Sequence, residues 1–199
     1  MLRKAVVFLV LFVSFSLVYG SATYYFLSQR ALQPFMGFAV YSETGSLSRY
    51  VNGSSLSVPF NQTVHWNLQV TNMMGSVQFA RVVARLGNSS TTSPTASGPG
   101  DAPVVGVLER FVATGATENM NFNWTILSTN KVGQQVSVRL RVNGGSPVSP
   151  PVSASRLGQD FRLLFELWMY ELSSDTFQYG WRGSSSRVGT WLQVWFNAP

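Results

Sequence analysis

Residues 64–71 read Val-His-Trp-Asn-Leu-Gln-Val-Thr, and every second side chain is apolar. Successive side chains of a strand point to opposite faces. Val64, Trp66, Leu68 and Val70 therefore line one face, and His65, Asn67, Gln69 and Thr71 the other. The alternation returns twice. Met120, Phe122, Trp124 and Ile126 alternate with Asn119, Asn121, Asn123 and Thr125, and Val136, Val138, Leu140 and Val142 with Ser137, Arg139 and Arg141. Less regular strands are predicted over Phe35–Tyr41, Val77–Leu86, Val104–Val112, Phe161–Tyr170 and Trp191–Phe196. Turn chemistry separates them at Val51-Asn52-Gly53-Ser54, at Asn143-Gly144-Gly145 and near Gly183. About eight half-buried strands with no helical period predict an all-β fold, an antiparallel immunoglobulin-like β-sandwich.

Two segments interrupt this rhythm. Gly87–Pro103 (GNSSTTSPTASGPGDAP) is expected to be too polar to pack. Asn143–Arg156 (NGGSPVSPPVSASR) contains three prolines and cannot continue a central strand. Both read as mobile connections within one domain.

The N-terminus is of a different kind. Ala5–Gln29 carries no charged residue, and a bilayer is crossed by about 20 apolar residues in a helix. Arg3 and Lys4 precede the run, which puts the N-terminus on the cytoplasmic side. Tyr24, Tyr25 and Arg30 read as an interfacial belt and a polar stop. Residues 1–30 are thus expected to form a cytoplasmic tip and a single transmembrane helix, and 31–199 an extracellular domain. Ser14, Ser16, Gly20 and Ser21 offer small side chains for packing on partner helices. The rival reading is a cleaved signal peptide, with Ala5–Val18 as its core and Gly20-Ser21-Ala22 as the cleavage site. In both readings the remaining chain is exported.

Composition narrows the function. Without the helix about 170 residues remain, enough for one domain with a substantial core. The absence of cysteine rules out disulfides, thiolate metal sites and a Cys nucleophile. The net charge is +6. Setting aside Arg3, Lys4 and Arg30 leaves 11 of the 14 basic residues against 8 acidic ones, scattered singly. Nucleic-acid binders need a basic stripe, and no nucleic-acid partner is expected.

Catalytic signatures are missing as well. His65 is the only histidine, so a His-rich metal site is excluded. Glu166 and Glu171 lie on opposite faces of one strand, whereas a glycosidase needs two carboxylates facing a cleft. Asp101, alone in a loop, does not make a calcium site. No enzyme activity and no cofactor are expected.

Two candidate sets remain. Asn52, Asn61, Asn88 and Asn123 each open an Asn-x-Ser/Thr sequon, a glycan acceptor in an exported chain. Asn123 falls on the polar face of its strand and Asn88 in a loop. In the last third, Trp168 and Tyr170 share one face of Phe161–Glu171, and Trp191 and Trp195 one face of Trp191–Phe196. If these strands pair, the four aromatics form an exposed patch for a protein partner, a glycan or lipid. The competing reading has that face covered by the Pro-rich loop or by Tyr179 and Trp181.

The order of the membrane segment, the Val70-Thr71-Asn72 strand end, Phe165-Glu166-Leu167 and Leu192-Gln193-Val194-Trp195 resembles an archaeal membrane-anchored family, the domain-of-unknown-function family 1616. The resemblance spans most of the region after the helix. It implies an archaeal surface location and an immunoglobulin-like fold, and it supplies no catalytic residues. Members of that family often carry several N-terminal membrane helices, whereas this chain shows one. The sequence thus points to a non-catalytic, membrane-anchored extracellular protein. It would be an accessory subunit of a membrane complex or a cell-envelope component, held by lipid through its helix and acting on protein partners. Two alternatives are a secreted filament or surface-layer subunit that donates Ala31–Tyr41 to a neighbour's sheet, and a carbohydrate-binding module using the aromatic patch.

Overall fold

The computed structural model describes residues 2–28, 34–48, 50–51, 56–154, 158–183 and 185–199. The chain divides into two units, Met1–Gln33 and Pro34–Pro199. In the first, helix α1 covers Leu2–Ser28. Its stretch Val6–Phe26, 21 residues with a mean hydropathy of 2.1, is long and apolar enough to cross a membrane, as is a signal sequence. The Ser21 hydroxyl donates back to the Val18 carbonyl at 3.0 Å, so its polar group is satisfied within the helix.

The second unit is a β-sandwich. Its strands are β1 (Met36–Ser42), β2 (Thr63–Asn72), β3 (Gln78–Asn88), β4 (Val104–Val112), β5 (Thr117–Val132) and β6 (Gln135–Val142), followed by β7 (Ser153–Ala154), β8 (Phe161–Glu171), β9 (Thr176–Tyr179), β10 (Trp181–Arg182), β11 (Arg187–Val188) and β12 (Thr190–Phe196). All eight predicted strands are present. The first sheet has the order β1-β2-β5-β6-β7, and the second β12-β8-β3-β4, with β9 paired to the far end of β8. All these pairings are antiparallel. The order β12-β8-β3-β4 follows the G-F-C-C′ sheet of immunoglobulin domains, and β1-β2-β5 their A-B-E; the first sheet departs in carrying β6 outside β5. β5 also outruns its predicted end at Ile126, because a register shift between Ile126 and Ser128 lets it keep pairing with β6 as far as Val132.

The inward alternation of the two sheets meets in an aromatic centre. Trp66 stands edge-on to Trp124 at 5.3 Å and to Phe165 of the opposite sheet at 5.9 Å. Phe122 meets Phe165 at 5.0 Å, and Trp124 meets Phe196 at 4.7 Å. All are 1% exposed or less. Rings of this size dominate core energetics, and these join the two sheets directly.

One polar residue closes the end of the sandwich. Asn72, fully buried, ends β2 in the first sheet. Its Nδ2 donates to the carbonyls of Ser76 and of Val112 on β4 of the second sheet, both at 2.8 Å, and its Oδ1 accepts the Met74 N–H at 2.9 Å. Both amide protons are used, as burial requires.

Where the structure describes them, both interrupting segments pack onto the sheets, contrary to the sequence reading. Gly87 and Asn88 belong to β3, and residues 89–103 lie over the outer face of the second sheet, as described below. In the Pro-rich segment, Val148 and Leu140 exchange main-chain hydrogen bonds at 2.8 Å, and Ser153–Ala154 forms edge strand β7 beside β6. Prolines confine such a segment to an edge without forbidding it. Of the earlier readings, Asn52–Ser54, Arg30, the Ala31 start of the first strand and Arg156 lie outside the described residues.

Asn72→Ala is expected to cost about 2–4 kcal/mol, because it orphans the buried Val112 carbonyl and removes two part-buried hydrogen bonds at once. Asn119→Ala, on the exposed face of β5, should stay within about 0.5 kcal/mol. Urea unfolding of the two variants checks this.

Candidate functional site

The outer face of the second sheet carries most of the chain's unusual chemistry. On β8, Arg162, Leu164, Glu166, Trp168 and Tyr170 point outward, opposite to the core residues Phe161, Leu163, Phe165 and Leu167. The registers set Gly87, Arg85, Val83 and Arg81 of β3 beside the first four on one side. Trp195, Gln193 and Trp191 of β12 stand beside Arg162, Leu164 and Glu166 on the other.

Half of this face is covered. The Glu166 carboxylate is 0% exposed. Its Oε1 accepts the Gly100 N–H at 2.6 Å, and its Oε2 accepts the Trp168 indole N–H at 3.1 Å and forms an ion pair with Arg85 Nε at 3.0 Å. Arg85 Nη1 donates to the Ala102 carbonyl at 2.7 Å. Further along, Arg162 donates to the Ser93 hydroxyl at 2.9 Å, to Gln193 Oε1 at 2.7 Å and to the Thr91 carbonyl. Burial lowers the pKa of this guanidinium. The Tyr179 hydroxyl donates to the Thr95 carbonyl, and the Gly189 N–H to the Ala96 carbonyl, both at 2.8 Å. A run of Ser, Thr and Gly thus packs through its backbone carbonyls onto Arg and Tyr donors, which polarity alone does not reveal. The cover is segment 89–103 with Tyr179, not the Pro-rich loop.

The other half is open. Phe79 and Phe111 stack at 4.3 Å, and Phe177 packs on Phe79 at 5.1 Å and on Tyr170 at 5.3 Å. The Arg81 guanidinium lies 3.6 Å over the Phe177 ring while its Nε donates to Glu109 Oε1 at 2.7 Å. Phe111 is 66% exposed, Val77 63% and Leu172 87%. Two clefts flank the cluster. One of about 640 Å³ lies among Arg81, Val107, Trp168 and Phe177; one of about 860 Å³ lies among Met74, Phe111, Met169 and Trp181, rimmed by Glu171 and Arg182. The Tyr170 hydroxyl donates to Asp175, and that hydrogen bond raises its pKa.

The four expected aromatics do not form one patch. Trp168 and Tyr170 border the open clefts, Trp168 half-buried with its ring on Tyr179 at 5.7 Å. Trp191 and Trp195 stand half-buried on β12, where the Arg162 guanidinium caps the Trp195 ring at 5.1 Å. The sequence reading missed Phe79, Phe111, Phe177 and Leu172. Phe79 and Phe111 meet only through the β3–β4 register, and the outward face of β3 mixes Phe79 and Val83 with Arg81 and Arg85, so the alternation there is faint.

On the outer face of the first sheet, paired polar residues cross from β2 to β5. Thr63 and Thr125 meet at 3.1 Å, His65 Nδ1 and Asn123 Oδ1 at 2.9 Å, and Thr71 and Thr117 at 2.8 Å. His65 is thus an outward strand residue with an amide partner. Among the described residues, no three of His, Cys, Asp and Glu come together as metal ligands would. Of the sequons, Asn61 lies exposed in the turn before β2, and Asn123 is half-buried on the face just described. Asn88 is half-buried at the end of β3, not in a loop. Asn52 lies outside the described residues.

No family model matches this chain, and no curated protein does. Among solved structures, the β-glucosidase EmGH1 of Erythrobacter marinus is 10% identical over 83% of this chain and 16% of its own, with a TM-score of 0.39. A β-glucosidase of Listeria innocua is 9% identical over 81% and 16%, with a TM-score of 0.34. The sporulation control protein Spo0M of Bacillus subtilis is 13% identical over 82% and 90%, with a TM-score of 0.29. The chain spans about a sixth of the β-glucosidases. None of these likenesses bears on its function.

Burial, with the nearby Glu166 charge, pushes the Tyr179 hydroxyl up to about 12 from an ordinary 10.0. The folded state then holds this proton more tightly than the unfolded one. Its stabilising contribution is complete below pH 10 and lost as pH rises from 10 towards about 12. The melting temperature should fall over that window, and less steeply in Tyr179→Phe; equal slopes would contradict the burial of this hydroxyl under segment 89–103.

Proposed function

We propose that this chain is a non-catalytic, single-pass membrane protein with a cytoplasmic N-terminus, whose extracellular β-sandwich holds a protein partner through the open aromatic face. Accessory subunit of a membrane complex or component of the cell envelope is the role that fits. One observation carries the reading: Val77, Phe111 and Leu172 stand at least 63% exposed around the Phe79–Phe177 cluster, although the same sheet has a segment that seals its other half. Contiguous apolar surface of this kind marks interaction sites.

The rim favours a protein over a lipid surface. Arg81, Arg85 and Asp175 border one cleft, and Glu171, Arg182 and Arg187 the other, so both rims carry both signs. An aromatic centre inside a polar rim of both signs is the anatomy of a protein interface, whereas anionic headgroups attract a one-signed basic cluster. The lone well-buried carboxylate of the face, Glu166, is fully engaged by Arg85, Trp168 and Gly100, which supports a structural rather than a catalytic part for it. The resemblance to an archaeal surface family points the same way.

The double variant Phe111→Asp/Leu172→Asp tests the face. Val132→Asp serves as control, since Val132 is 70% exposed at the β5–β6 turn. Extracted from native membranes in mild detergent, wild type and control should run with a stoichiometric partner chain. The double variant should lose about 30-fold or more in affinity, the scale of an aromatic hot spot, at unchanged melting temperature. Retention of the partner by the double variant would refute the assignment.

A further inference from the structure

We infer that Asn61 is an N-glycan acceptor of this protein and that Asn88, despite an equally good sequon, is not; the inference rests on the exported topology proposed above. The two sequence patterns, Asn61-Gln62-Thr63 and Asn88-Ser89-Ser90, are interchangeable on paper. Their surroundings are not.

The Asn88 side chain is half-buried and engaged at both its nitrogen and its oxygen. Its Nδ2 donates at 2.7 Å to the Ser153 carbonyl, which ties the end of β3 to edge strand β7. Its Oδ1 accepts the main-chain N–H groups of Ser90 and Thr91, each at 2.9 Å, and the hydroxyls of the same two residues, also at 2.9 Å. This arrangement folds the sequon back on itself and starts the covering segment 89–103. A sugar on Nδ2 would have to fit into this half-buried junction beside Ser153. Glycosylation there would prise β7 from its contact and turn the covering segment away.

Asn61 is built the other way round. Its backbone is fixed: the main-chain N–H donates to Ile126 O at 2.9 Å, and the residue sits at φ 58, a left-handed conformation that asparagine tolerates well. Its side chain is exposed, with no hydrogen-bond partner among the described residues. The turn holds the amide outward at the tip of the sandwich, where a glycan displaces nothing. In the transfer, Nδ2 forms a bond to the anomeric carbon of a glycan carried on a lipid phosphate or pyrophosphate. The anomeric carbon–oxygen bond of that donor breaks, its electron pair leaves with the phosphate, and one amide proton is released.

Thr63→Ala removes the sequon without touching Asn61, and Thr63→Ser retains it. The Thr63 hydroxyl meets only Thr125, at an exposed position, so both variants are expected to fold, and melting curves check this. Peptide mapping by mass spectrometry of protein from native membranes should find glycan on the Asn61 peptide of wild type and Thr63→Ser, none in Thr63→Ala, and a bare Asn88 peptide throughout. A glycan on Asn88, or a bare Asn61 in wild type, overturns the inference. Protease treatment of intact cells separates the two layers of the argument. With the sandwich cleaved from outside and Asn61 bare, the inference alone fails. With the sandwich protected, the exported topology fails and takes the inference with it.

Discussion

The Glu166 carboxylate has no exposure to water, and much of the second sheet's outer surface follows from that. An unpaired buried charge costs several kcal/mol, so this group is tolerable only with donors on every side. From the sheet itself, Arg85 supplies a counter-charge and Trp168 a hydrogen-bond donor. A second donor comes from the Gly100 main chain, which requires segment 89–103 to lie across the strands. The approach is tight: a side chain at Gly100 would meet Glu166 Oε1 at 3.3 Å, and one at Gly189 would meet the Tyr179 ring at 2.4 Å. The cover spreads from that point through Tyr179 and Arg162 and stops short of Phe79 and Phe111. The open aromatic face is the part of the sheet that this segment does not reach.

The strands were legible because the first sheet is solvated on one side. Its β2, β5 and β6 alternate apolar and polar residues over 64–71, 119–126 and 136–142, and the structure pairs them as neighbours. β8 was harder. Phe161-Arg162-Leu163-Leu164-Phe165-Glu166-Leu167-Trp168 is buried on both faces for most of its length, so alternation does not say which residues face the core and which face the cover. The patch of four aromatics was drawn from that strand, and it came apart: Trp168 and Tyr170 reach the open clefts, Trp191 and Trp195 do not. Polarity misled in the opposite direction for residues 89–103. That segment packs largely through main-chain groups, which every residue carries, and most of its partners lie some 60 to 100 residues away along the chain. The sequons show the same limit, since one three-residue pattern covers both the occupied amide of Asn88 and the free one of Asn61.

Asn72 gives a physical role to the end of the Val70-Thr71-Asn72 stretch. The residue ends β2, joins the two sheets through Val112 and accepts the Met74 N–H of the turn that leads to β3. An asparagine at that point serves as a corner clip, one requirement of a sandwich with no disulfides. Helix α1 contributes something separate, a stretch able to hold the chain at a membrane, and the sandwich contributes a surface with an apolar centre. The proposed function draws on these two contributions, attachment and recognition.

Hydroxyl-radical footprinting in native membranes tests the central claim most directly, because it reads the occupancy of the aromatic face without disturbing it. The account predicts that Phe111, Leu172 and Phe177 are labelled several-fold less in native membranes than in the purified protein, while Val132 is labelled equally in both. Equal labelling of all four in the two preparations would mean that the face is bare where the protein works, and would contradict its assignment as a partner surface.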